Sequence, residues 1–113
     1  MKSEDQIQAE FFKSSWDQFP QTRRLIFSVP NGGTRNMLEA MKFKATGLIS
    51  GIPDMIFVWK GKVYGLEFKT EKGRTSKDQD KVHEAWHSND IPIKIFRDAQ
   101  TALNWIKEII EHA

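Results

Sequence analysis

Asp54, Glu67 and Lys69 are the residues whose types and spacing point to chemistry. They lie in Asp54-Met55-Ile56-Phe57-Val58-Trp59-Lys60 and Val63-Tyr64-Gly65-Leu66-Glu67-Phe68-Lys69-Thr70. Both segments are dominated by β-branched and aromatic residues and read as strands. Gly61-Lys62 between them suits a type II′ turn, with glycine at its first central position. Pairing Lys60 with Val63 then sets Asp54 opposite Lys69 and Ile56 opposite Glu67. Side chains alternate between faces, so Asp54, Ile56, Val58, Glu67 and Lys69 share one face. Met55, Phe57, Trp59, Tyr64, Leu66 and Phe68 share the other.

Charges on a strand this apolar need a reason, because burying them unpaired is expensive. A hard divalent cation would supply one, since it takes oxygen ligands. The plainer reading is an edge hairpin whose Asp54 and Lys69 form a cross-strand ion pair, with Glu67 in solvent.

His83-Glu84-Ala85-Trp86-His87 spells a second motif, H-E-x-x-H, which on a helix can place two imidazoles for zinc with the Glu as general base. Val82 and Trp86 are the expected inward residues of that helix. Both histidines then fall on its flank as surface residues, and the motif leaves Asp54, Glu67 and Lys69 unexplained.

The chain must fold so as to position these groups. Its 113 residues suit one domain, 1–113, with a modest core. There is no cysteine, which excludes disulfides and thiolate metal sites and is compatible with a reducing cytoplasm. No apolar stretch reads as a signal peptide or a membrane span. Net charge is only +2, so affinity for nucleic acid would depend on uneven placement of charge.

Ser3-Glu4-Asp5-Gln6 is a capping box that opens a helix to about Gln18. Ile7, Phe11, Phe12, Trp16 and Phe19 form its apolar arc, with Glu4 inside that arc and Glu10 outside. Leu25–Val29 is a short strand ended by Pro30. Asn31-Gly32-Gly33 is a turn whose backbone can approach phosphate. Arg35–Ala45 is a helix with a Met37, Leu38, Met41, Ala45 core stripe, closed by Gly47. Arg23, Arg24, Arg35, Lys42 and Lys44 are candidate phosphate contacts, as are Lys72 and Arg74 in the polar segment after the hairpin. Ser76-Lys77-Asp78-Gln79 is a second capping box, so Gln79 is either a cap or a site residue. Its helix reaches about Ser88, Pro92–Phe96 is the next strand, and the β-α-β unit implies a parallel pair. Asp98 caps a last helix that packs through Ala102, Leu103, Trp105, Ile106, Ile109 and Ile110.

Pro53-Asp54 followed by Glu67-Phe68-Lys69 resembles the signature of the PD-(D/E)xK nucleases. Val29-Pro30-Asn31-Gly32-Gly33, Gly47, Gly51-Ile52-Pro53-Asp54, Glu67-Phe68-Lys69-Thr70, Lys72-Gly73-Arg74 and Gln79 together resemble the VRR-NUC branch over nearly the whole chain. The resemblance implies an α/β fold with a restriction-endonuclease-like αβββαβ core, a mixed sheet flanked by helices. It also implies DNA phosphodiester hydrolysis with Mg2+ or Mn2+ on Asp54, Glu67 and the Phe68 carbonyl. Lys69 would be the catalytic ammonium, Glu4 a supporting carboxylate of the first helix, and Gln79 a neighbour of Lys69. Small members of this kind resemble homodimeric enzymes of phages and bacteria that cut branched DNA such as Holliday junctions. The alternatives are a non-catalytic DNA-binding module of the same fold and a zinc hydrolase.

Overall fold

The computed structural model of the chain describes residues 1–30 and 36–112. Helix α1 (Glu4–Gln18) leads through a 3-10 turn (Pro20–Thr22) to β1 (Ile26–Ser28) and then to α2 (Met37–Ala45). The hairpin β2 (Met55–Trp59) and β3 (Lys62–Phe68) follows, then α3 (Lys77–His87), β4 (Ile93–Phe96) and α4 (Ala99–His112). The strands form one mixed sheet in the order β1-β2-β3-β4, antiparallel except for the parallel β3–β4 pair. This is the expected αβββαβ core with helices on the sheet.

Both capping boxes form as read: Ser3 with Gln6 opens α1, and Ser76 with Gln79 opens α3. Asp98 caps α4 by accepting from the Thr101 N–H at 2.8 Å. One face of the sheet carries Met55, Phe57, Tyr64, Leu66, Phe68 and Phe96, which bury against α1 and α4. Phe11 of α1 packs on Phe68 with tilted rings at 5.4 Å, and Trp105 of α4 meets Tyr64 edge-on at 5.7 Å. Phe11, Phe57 and Phe68 are wholly buried, and truncating such a residue to Ala would cost about 3–5 kcal/mol.

Three sequence expectations are corrected. The hairpin turns on Lys60-Gly61, with φ of +48° and +80°. These are the paired positive angles of a type I′ turn, whose twist matches that of the strands. Trp59 therefore pairs with Lys62 and Met55 with Leu66, a slip of two residues from the expected register. Continuing that ladder sets Asp54 opposite Glu67 rather than Lys69. A slip of two preserves the faces, so the polar set stays together.

The second correction concerns α1, which buries Ile7, Phe11 and Ser15 and leaves Phe12 and Trp16 partly exposed. Its inward stripe follows an i, i+4 row that is narrower than the expected arc. The third concerns α2, which buries none of its residues. Met37, Leu38 and Met41 are 78%, 78% and 60% exposed. Their stripe exists, but among the described residues no element covers it.

Candidate active site

The polar set sits where the hairpin opens, between the sheet and the start of α3. Gly51 lets the segment leading to Asp54 lie against α3. A Cβ at Gly51 would fall 2.5 Å from the Asp78 carbonyl and 2.7 Å from Gln79 N, and its φ of +91° already disfavours any side chain. Gly65 does the same for the sheet: a Cβ there would lie 2.9 Å from both the Pro53 ring and Ile93. Pro53 is thereby seated over β3, and Asp54 follows it into the site.

Asp54 closes the ladder with its side chain. Its Oδ2 accepts from the Phe68 N–H at 2.7 Å. In this register Lys62, Tyr64, Leu66 and Phe68 point both N–H and C=O toward β2. Pro53, the next position across from Phe68, has no N–H to give. Strand geometry thus turns the Phe68 carbonyl toward the Pro53 position, where the ladder offers no donor, consistent with the backbone-ligand role that the resemblance implies.

Glu67 is completely buried, at 0% exposure, and neither carboxylate oxygen has a hydrogen-bond partner among the described residues. His83 Nε2 approaches Glu67 Oε1 at 3.2 Å without the alignment of a hydrogen bond. Lys69 is buried too, and its ammonium donates to Gln79 Oε1 at 3.0 Å. Gln79 Oε1 also accepts from the Ser76 N–H at 2.9 Å. Gln79 is therefore cap and Lys69 partner at once.

Both carboxyls are pushed above their ordinary pKa. For Asp54 the main cause is burial, opposed by the Phe68 N–H; the charge of Glu4 raises it further, Lys69 lowers it, and Asp5 raises it. For Glu67 burial again leads, opposed by His83, with Asp54 raising and Lys69 lowering it. Anionic forms here are short of compensating charge.

A divalent cation fits this shortfall. Among the described residues no three His, Cys, Asp or Glu side chains converge as a metal cage. Two carboxylates and a carbonyl suit magnesium all the same, because it keeps several waters and dehydrates reluctantly. The unpartnered oxygens of Glu67 are the donors that such an ion would use.

The other expected residues fall as follows. Glu4 is exposed at the first position of α1, near enough to Asp54 for its charge to be felt. Arg23 is committed to α1, donating to the Trp16 carbonyl at 3.0 Å and lying over its ring. Arg24, Lys42, Lys44, Lys72 and Arg74 are exposed. Asn31, Gly32, Gly33 and Arg35 lie outside the described residues.

Sequence reasoning missed two residues. Arg97 holds the loop that carries Lys72 and Arg74, its Nη1 donating to the carbonyls of Thr70, Glu71 and Gly73 at 2.7, 3.2 and 2.8 Å. His83 is not a surface residue but the neighbour of Glu67. A signal for it was available, because Gln79 and His83 share one face of α3 at i, i+4. The H-E-x-x-H reading loses its geometry: His83 Nε2 faces Glu67 Oε1 at 3.2 Å, and His87 Nε2 is taken by the Ile93 N–H at 3.2 Å.

No family model matches the sequence, and no curated protein matches it. Among solved structures the chain superposes on a VRR_NUC domain protein with a TM-score of 0.82. That match covers 98% of this chain and 90% of the other at 19% identity. The chain has the VRR-NUC fold.

Proposed function

We propose that this chain is a divalent-metal-dependent endonuclease that hydrolyses DNA phosphodiester bonds, with branched DNA such as the Holliday junction as its preferred substrate. The observation that carries the reading is Glu67, a fully buried carboxylate with both oxygens unpartnered, across the ladder from Asp54 and two residues from a buried Lys69. An edge hairpin with an Asp54–Lys69 ion pair would have left Glu67 in solvent; here Glu67 is buried and the Lys69 ammonium donates to Gln79. The VRR-NUC fold adds a second support, by analogy with a protein of that description.

Asp54, Glu67 and the Phe68 carbonyl would hold Mg2+ or Mn2+. When bound, such an ion would supply Lewis-acid chemistry, polarising a phosphoryl oxygen and acidifying water. The chain's own residues do the rest. Lys69, fixed by Gln79, points its ammonium at the site, where it orients the attacking water and stabilises charge on the five-coordinate phosphate. The Phe68 N–H holds Asp54 Oδ2 at 2.7 Å, so Oδ1 would be the oxygen available to a cation. Glu4 adds negative charge at the rim. Lys72 and Arg74, on the loop that Arg97 braces, and Lys42, Lys44 and Arg24 receive DNA phosphates.

A homodimer completes the reading. The uncovered Met37, Leu38, Met41 stripe of α2 is an apolar face of the kind that a second copy buries. Two sites are also needed to cut two strands. No helix among the described residues is long and apolar enough to cross a membrane, and the proposed setting is the cytoplasm of a bacterial or phage-infected cell.

The test is cleavage of end-labelled four-way junction and matched linear duplex with Mg2+, Mn2+ or EDTA. Metal-dependent cutting, stronger on the junction, is expected. Tight binding to both DNAs without cleavage in either metal would mark a binding module instead.

A further inference from the structure

We infer that His83 is a positioning residue for Glu67, holding one carboxylate oxygen so that the other is presented to the cation. The inference rests on the metal-site reading above and extends it to a residue outside the Asp-Glu-Lys set.

Two spacings match across the interface between α3 and β3. Gln79 and His83 are four residues apart on a helix, about 6 Å along its axis. Glu67 and Lys69 are two apart on a strand, about 6.6 Å along it. Gln79 meets Lys69 at 3.0 Å, and His83 meets Glu67 at 3.2 Å. Each site residue of β3 thus has one polar partner on a single face of α3, which buries Val82 beside them.

The two histidines of α3 differ in a way that separates structure from function. His87 is occupied by backbone, taking the Ile93 N–H at 3.2 Å and so tying α3 to β4. The His83 side chain is only 14% exposed, and its buried Nε2 has no hydrogen-bond partner among the described residues. That nitrogen lies 3.2 Å from Glu67 Oε1. A buried ring nitrogen left unused is costly, whereas a small rotation of the ring turns the 3.2 Å approach into an N–H···O bond. Site hydrogen bonds often tighten in this way only when the site is filled. The neutral imidazole suffices as donor.

Held at Oε1, Glu67 offers Oε2 to the cation and cannot turn onto Lys69, which would quench both groups. Partners that orient a ligand in this way are worth roughly 10–100-fold in metal affinity.

The test is calorimetric titration of the full chain with Mn2+ at pH 8 and without DNA, for wild type, His83→Gln and His83→Leu. Gln keeps a donor near the Nε2 position; Leu keeps bulk and removes the donor. Wild type and Gln should agree within about threefold, while Leu binds roughly 10–100-fold more weakly with an unchanged near-UV circular dichroism spectrum. Where the Leu variant does not fold, His83→Asn takes its place with the same expectation, since its amide falls short of Glu67. Wild-type affinity in the donor-less variant, or equal losses in Gln and Leu, would overturn the assignment while leaving the metal site standing. No Mn2+ binding by wild type would instead overturn the metal-site reading, and this assignment with it.

Discussion

Glu67→Gln should make the metal-free protein more stable while abolishing cleavage. Glu67 is 0% exposed, and among the described residues its two oxygens have no hydrogen-bond partner. The effective penalty for burying an ion is several kcal/mol. Lys69 and His83 offset part of it, and the charge of Asp54 adds to it. The neutral amide keeps the shape and removes the charge, and still leaves a polar group that is imperfectly paired. The remainder is a gain of about 1–3 kcal/mol. At roughly 4 °C per kcal/mol for a chain of this size, Tm in EDTA should rise by about 4–12 °C. Saturating Mg2+ should offset most or all of that advantage, because wild type gains binding energy that the variant lacks, about 2.7 kcal/mol at a hundredfold excess over Kd. The assay is thermal unfolding of both proteins in EDTA and in Mg2+. If Glu67→Gln is less stable in EDTA, or if Mg2+ stabilises both proteins equally, the account of Glu67 as an unpaired ligand fails.

The raised carboxyl pKa values of Asp54 and Glu67 fix the sign of a pH effect. Their protons are held more tightly in the fold than in the unfolded chain, so the stability they confer is present at low pH. It is lost as pH rises above the ordinary carboxylate value of about 4. In EDTA, the stability advantage of Glu67→Gln over wild type should therefore grow as pH rises above about 4; a constant or shrinking advantage in chemical denaturation would contradict it. Gly51→Ala should destabilise by about 2–4 kcal/mol and weaken cleavage, since its Cβ would meet the Asp78 carbonyl at 2.5 Å on a backbone with φ of +91°. A Tm within 2 °C of wild type, about half a kcal/mol, would show that the approach is relaxed. Replacing Met37, Leu38 and Met41 together by Gln should shift a dimer to monomer in sedimentation equilibrium with little change in monomer fold, because none of the three is buried within the chain. An unchanged sedimentation profile would remove α2 from the interface.

The elements legible in the sequence were those whose signals are local. Both S-x-x-Q capping boxes, the two faces of the hairpin and the α4 stripe follow from side-chain periodicity and short-range hydrogen bonds. The hairpin register was not legible, because Lys60 takes a positive φ that its residue type does not advertise. The faces survived because an even slip conserves them. The stripe of α2 was visible, but coverage is a matter of tertiary packing, and among the described residues the stripe stays exposed. His83 was misplaced because its role depends on how α3 is phased against β3, which only packing decides. The carboxylates were recognisable as a cluster; that Glu67 keeps its oxygens free while Asp54 spends one on Phe68 is a matter of register.

The most direct test of the central claim is Lys69→Ala measured beside wild type on a labelled four-way junction in Mg2+. Cleavage and DNA affinity should be followed in parallel. The account predicts that cleavage falls by at least about a hundredfold, while junction affinity stays within a few-fold and the fold is retained. Cleavage by Lys69→Ala at the wild-type rate would contradict it.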